Sequence, residues 1–177
     1  MKKILTLCAA VLTAVTMSAQ HEIGGIVGGL NGASYKYWFT DEFALQGDLA
    51  VGLSKVPTDI AGTSVSAGIW DFTLNPNAEY HWDLPVNGLK IYAGGGVNLG
   101  MMQVFNVTVS GNTMAMPGAT LTGKFGINAI GGLCYNFDNA PLVLAFDFRP
   151  GYGLQFAEQA GSSFFDWKIA VAVRYCL

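Results

Sequence analysis

The last eleven residues of the chain alternate with a period of two. Trp167, Ile169, Val171, Val173, Tyr175 and Leu177 are apolar and mostly bulky, while Lys168, Ala170, Ala172, Arg174 and Cys176 between them are small or charged. Successive side chains of a strand point to opposite faces. The segment therefore predicts a strand with one greasy face and one small or polar face. About seven further segments follow the same rule, each near the ~9–11 residues that cross a bilayer as a tilted strand.

The N-terminus reads as an export signal. Lys2 and Lys3 give a basic start, Ile4 to Val15 an apolar stretch, and Met17-Ser18-Ala19 a small-residue exit. The run is too short for a retained membrane helix, so residues 1–19 are expected to be a cleaved signal peptide and residues 20–177 one domain. Cys8 lies inside the signal, before more apolar residues, and is not read as a lipid anchor. Without the signal, seven basic and twelve acidic residues remain, which is no electrostatic footprint for nucleic acid. Charged residues make up 12% of the chain, against roughly 25% in soluble domains. Yet no segment past the signal approaches the ~18 uninterrupted apolar residues of a helical span. A closed barrel resolves this, because it pairs every backbone donor and acceptor and leaves no edge. The expected fold is all-β, an eight-stranded antiparallel up-and-down transmembrane β-barrel.

The strands are expected at about Glu22–Leu30, Ala33–Thr40, Phe43–Leu53, Ala67–Trp82, Leu89–Met101, Thr120–Phe137 and Leu142–Tyr152, with the C-terminal strand last. The phase of the first is ambiguous. Pro76 is a misfit in the fourth, since it removes one ladder hydrogen bond. Short turns are expected at Thr40-Asp41-Glu42, Asp83–Gly88 and Asp138–Pro141. A polar loop is expected at Ser54–Ser66, the longest loop at Met102–Ala119, and a further loop at Gly153–Ser163. Short turns inside and long loops outside is the bacterial pattern, with a tight Asn31-Gly32 connection as the exception.

A soluble ligand-binding barrel also alternates, but it would hold its aromatics inside and carry many outer charges. Here the polar face is mostly Gly, Ala, Asn, Ser and Thr, which suits the narrow interior of an eight-stranded barrel. The bulky face suits lipid. Tyr80, Trp82, Tyr135 and Tyr175 fall near the short-turn ends, and Trp70 and Trp167 near the loop ends, as two aromatic girdles around an aliphatic band. Interior charges need partners. Asp48, Asp71, Glu79 and Asp147 are expected to face Lys36, Lys90, Lys124, Arg149, Lys168 and Arg174, with Glu79 nearly opposite Lys90. This predicts a salt-bridged plug rather than an open pore.

The chain resembles the small eight-stranded outer-membrane barrels of the OmpX and OmpA-transmembrane type, often described as a porin family or an outer membrane protein β-barrel domain. The resemblance is carried by Tyr35-Lys36-Tyr37-Trp38-Phe39-Thr40 running into Phe43-Ala44-Leu45-Gln46-Gly47-Asp48, by Asn75-Pro76-Asn77-Ala78-Glu79-Tyr80, and by Lys124-Phe125-Gly126-Ile127-Asn128 with Tyr135-Asn136-Phe137. It implies an export signal, both termini in the periplasm, insertion by the barrel-assembly machinery, and no fixed catalytic residues.

Some barrels of this size modify lipids with a histidine near the outer leaflet. General-base work favours histidine, but His21 and His81 are both expected at the periplasmic end, so no catalysis is expected. Cys134 and Cys176 are expected on strands separated by another, too far apart for a bridge. The clusters Gly94-Gly95-Gly96 and Gly131-Gly132 are not phosphate loops, since no helix follows them. No cofactor or metal constellation is visible. Residues 102–119, with Phe105, Val107 and Val109 alternating before Ser110-Gly111-Asn112, read as a protruding hairpin that is the candidate surface for an extracellular partner, besides the membrane lipid itself, or as a longer strand pair with no partner, which is the favoured reading. The functional expectation is a structural or cell-surface interaction protein, with a narrow channel for ions or small solutes as the alternative.

Overall fold

A computed structural model describes residues 21–60, 63–109, 112–115, 121–157 and 160–177. The expected signal and its cleavage site lie outside the described residues. Among the described residues nine strands follow in chain order: β1 (His21–Gly28), β2 (Gly32–Trp38), β3 (Phe43–Ile60), β4 (Thr63–Asp83), β5 (Leu89–Val109), β6 (Asn112–Ala115), β7 (Thr122–Asn136), β8 (Leu142–Ala157) and β9 (Ala160–Cys176). Eight of them pair in the ring β1-β2-β3-β4-β5-β7-β8-β9, and β9 closes on β1. The ninth, β6, is a short return strand on the end of β5. Every pairing is antiparallel, so the barrel runs up and down. The two described chain ends meet at the end of the three short turns, where the Leu177 N–H donates to the His21 carbonyl at 2.8 Å.

The ring closes because the two-residue period is kept in all eight strands. Leu45, Leu49, Leu144, Phe146, Val173 and Tyr175 are exposed on the outer surface, while Ala44, Ala50, Ala145 and Ala172 next to them in sequence are buried inside. The first strand's ambiguity is resolved the same way. Ile23 and Val27 face out, and Glu22 and Ile26 face in. The phase is hard to read from sequence because apolar residues fall on both faces. Gly28 ends this strand with φ 116°, a left-handed conformation suited to glycine. Asn31 holds the turn, accepting from the Gly28 N–H at 3.2 Å and donating to its carbonyl at 3.3 Å.

Two expected loops are instead largely strand, and the strand pair foreseen within Met102–Ala119 is present. In the segment expected as a loop at Ser54–Ser66, β3 continues to Ile60 and β4 begins at Thr63, with Lys55 opposite Gly68 and Thr58 opposite Val65. The Met102–Ala119 segment extends β5 to Val109 and adds β6, with Val109 opposite Asn112. The Gly153–Ser163 segment carries β8 to Ala157 and starts β9 at Ala160. The sixth strand begins at Thr122 rather than Thr120. Along β3 the ladder outlasts the greasy stripe that marked it, since backbone pairing needs no apolar side chain, whereas along β8 the stripe itself continues through Leu154 and Phe156. Pro76 stays within β4 opposite Gly47. The described pairs to β5 skip from Leu74–Leu99 to Asn77–Gly96, where proline lacks its donor. Nearer the hairpin end the register shifts between Gly68 and Ile69, leaving Phe105 as the extra residue of a bulge.

Candidate functional site

The chemistry of this chain is concentrated inside the ring. Strand parity aims every second residue inward, and the antiparallel register brings those residues to shared heights. At the centre, the Lys36 Nζ from β2 reaches the Glu79 Oε2 from β4 at 2.6 Å. The same oxygen is 3.1 Å from His81 Nε2. Lys36 also lies over the Tyr92 ring, 4.8 Å from its centroid, and His81 stacks on that ring at 4.8 Å. From β9, Arg174 donates through Nε to Ser34 at 2.9 Å and through Nη2 to Gln46 at 2.6 Å. One step toward the hairpin end, Arg149 bonds Asp48 at 2.6 Å and also pairs with Asp147, which in turn accepts from the Tyr92 hydroxyl. Asn128 donates to Asn77 at 2.6 Å. Lys36, Asp48, Glu79, Asp147, Arg149 and Arg174 are all at most 3% exposed.

The other four expected interior charges sit nearer the ends. Lys124 pairs with Asp71, and Lys168 with Asp166, all four partly exposed at the hairpin end. Lys90 lies at the turn end, 3.3 Å from Asp83 and 3.2 Å from the Asp41 carbonyl. The expected Glu79–Lys90 pairing is therefore corrected. The hairpin register sets Asp83 opposite Lys90 and places Glu79 four residues higher, opposite Gly94. Glycine offers no partner there, and Glu79 turns across the lumen to Lys36 instead.

Two cavities flank the charged centre. One of about 420 Å³ opens at the hairpin end and includes Asp71, Lys124, Asp166 and Lys168 in its wall. The other, about 310 Å³, opens at the turn end beside Glu22, Trp38 and Lys90. Lys36, Gln46, Glu79, Arg149 and Arg174 line neither. They form the layer between the two. Each buried charge in that layer faces a formal counter-charge or a neutral hydrogen-bond partner, which offsets desolvation.

Several interior residues were not singled out from sequence. Trp38 donates its indole N–H to Glu22 at 2.6 Å, and Glu22 lies 3.8 Å from Arg174. Asp166 was also missed. Parity was the available signal: Trp38 shares a face with Lys36, and Asp166 with Lys168. Of the expected girdle aromatics, Tyr80, Trp82, Trp167 and Tyr175 are exposed on the outer surface. Tyr80 packs on Trp82 at 5.0 Å between centroids, and Tyr135 on Phe137 at 4.9 Å. Trp70 is half-buried and donates to Gln103 at 3.0 Å.

His81 is buried and lines neither cavity, while His21 bonds the Tyr35 hydroxyl at 2.7 Å near the chain terminus. Cys134 and Cys176 are free thiols. Among the described residues, no group of three or more His, Cys, Asp or Glu side chains is arranged to hold a metal ion.

The closed antiparallel ring with its charged core defines the class: the chain has the fold of the small eight-stranded outer-membrane β-barrels. Among solved structures it is similar to a major outer membrane protein from Thermus thermophilus, with 12% identity over 90% of this chain and 100% of that one, at a TM-score of 0.58. It is also similar to the N-terminal β-barrel domain of Pseudomonas aeruginosa OprF (18% identity, 90% and 96% covered, TM-score 0.46). A third is Neisserial surface protein A (12% identity, 89% and 93% covered, TM-score 0.47). No protein-family model and no curated protein matches the sequence.

Proposed function

We propose that this chain is an integral protein of the Gram-negative outer membrane, exported by a signal at residues 1–19 and inserted by the barrel-assembly machinery as a barrel of residues 20–177. Its role is structural or in cell-surface interaction, without catalysis. The observation that carries the reading is an inversion of the usual soluble arrangement: large apolar side chains cover the outside, and ion pairs fill the inside. Leu53, Phe165 and Trp167 are 83%, 70% and 63% exposed, while Asp48, Glu79 and Arg174 are at 0%. In water such a contiguous apolar surface is an association site, whereas in lipid it is the outer face a barrel needs. The outward apolar residues of β9 run from Phe165 to Tyr175, eleven residues, matching the ~9–11 of a tilted spanning strand. In this reading the central ion-pair layer is a plug, and the β5–β6 hairpin within residues 102–119 is the surface offered to an extracellular partner.

Planar-bilayer recording tests the plug. The purified, heat-modifiable protein is expected to give no stable large current. A steady single-channel current would favour the competing role of a narrow channel for ions or small solutes. Deletion of residues 104–116 tests the surface, since insertion should survive and partner capture or adhesion should fall.

A further inference from the structure

The barrel wall is uneven in height. β3 and β4 run together to Ile60 and Thr63, and β8 and β9 to Ala157 and Ala160. The β1–β2 hairpin between them turns at residues 29–31. Its last bonds to its neighbours are from the Gly29 N–H to the Ile169 carbonyl at 2.7 Å, and from the Val51 N–H to the Asn31 carbonyl at 2.9 Å. Beyond these, among the described residues, the facing edges of β3 and β9 carry no ladder partner. Two strands are missing from the wall there. At ~4.8 Å per strand, β3 and β9 stand about 14 Å apart across this notch.

The 420 Å³ cavity opens onto the notch. Its wall includes the β1–β2 tip, the β3 edge at Val51–Leu53, and Phe164, Asp166 and Lys168 on the β9 edge. The lips of the notch are apolar on their outer side, where Leu53, Phe165 and Trp167 are strongly exposed. Inside lie two lysines and two aspartates in two ion pairs, a site with no net charge. A polar, neutral chamber thus connects sideways to an apolar surface.

From this geometry we propose that the notch and cavity form a lateral binding site for a single-chain amphiphile with a zwitterionic headgroup, of the lysophosphatidylethanolamine type. The headgroup phosphate lies between Lys124 and Lys168, its ammonium is received by Asp71 and Asp166, and the acyl chain leaves over Leu30 and Leu53 into the outer leaflet. Charge balance selects the zwitterion: an anionic head would leave the two aspartates repelling it, and a cationic head the two lysines. The site rests on the membrane reading above.

The test uses the full barrel reconstituted in phosphatidylcholine vesicles, with insertion verified by heat-modifiable gel migration, then native mass spectrometry after titration with lysophosphatidylethanolamine. One retained lysolipid per barrel is expected. The Lys124→Met/Lys168→Met variant, altered only at partly exposed positions, should insert equally and bind at least ten-fold more weakly. Glycerophosphoethanolamine, which lacks the chain, and dodecanol, which lacks the headgroup, should not be retained. The proposal is overturned if the inserted barrel retains no lysolipid, or retains several irrespective of the lysines, as annular lipid would be. Equally tight binding of glycerophosphoethanolamine alone would also overturn it, leaving a cup for soluble ligands. Failure to insert would instead refute the membrane reading, and the site with it.

Discussion

Lys36 and Glu79 come from strands that are not neighbours, yet they meet at 2.6 Å in a region with almost no exposure. Removing one partner of such a pair leaves an uncompensated buried charge, which typically costs about 3–5 kcal/mol. Glu79→Ala should therefore lose stability of that order in urea unfolding from lipid vesicles. The double replacement Lys36→Met/Glu79→Leu should lose much less than the two single losses added, because the desolvation cost disappears with the charges. Gly132 makes a second test at this scale. A Cβ there would lie 2.1 Å from the Phe146 carbonyl and 2.6 Å from the Tyr92 hydroxyl. Gly132→Ala should lower stability measurably in the same assay, since the backbone on one side cannot yield. Strand parity made the inward position of Lys36 and Glu79 legible in the sequence, but not their pairing. That choice depends on which side chains cross the lumen, and β3 separates the two strands. Glu22 was hidden for a different reason: with Ile23 and Val27 on one face and Ile26 on the other, hydropathy gave the first strand no phase.

Among the elements, the two-residue period located all eight barrel strands and the faces of every one but the first, and it located their lower ends better than their upper ones. The turns at 39–42, 84–88 and 137–141 are marked by Asp, Glu, Asn, Pro and Gly within a few residues. At the other end the apolar stripe fades while pairing continues, as in Lys55–Gly68 and Thr58–Val65. Of the segments expected there as loops, only Ser54–Ser66 is mainly polar in composition. This division predicts unequal tolerance. Leu144→Lys, on the outer face of β8, should cost about 2–4 kcal/mol if it lies near the bilayer midplane. Deleting residues 104–116 removes only the upper part of β5 and the short β6, so heat-modifiable migration should be retained. Both are read by gel mobility and unfolding of the reconstituted barrel.

For the whole molecule, the ring of hydrogen bonds and the two-faced wall act together. Below the notch, the closed ring pairs strand to strand all the way round the apolar belt, which is what hydrocarbon demands. Composition signalled this early, since 12% charged residues cannot dress the outside of a soluble domain of this size. The notch above the β1–β2 hairpin was not legible, because it arises from a difference in strand length at the end where the sequence pattern fades. The central claim is that the bulky outer face lies in hydrocarbon. It is tested most directly by nitroxide labels placed singly at Leu45, Leu144 and Val171 in reconstituted barrels whose Cys134 and Cys176 have been replaced. Collision rates should be high with oxygen and low with a water-soluble nickel chelate at all three positions. Ready collision with the nickel chelate at those sites would place the face in water and contradict the account.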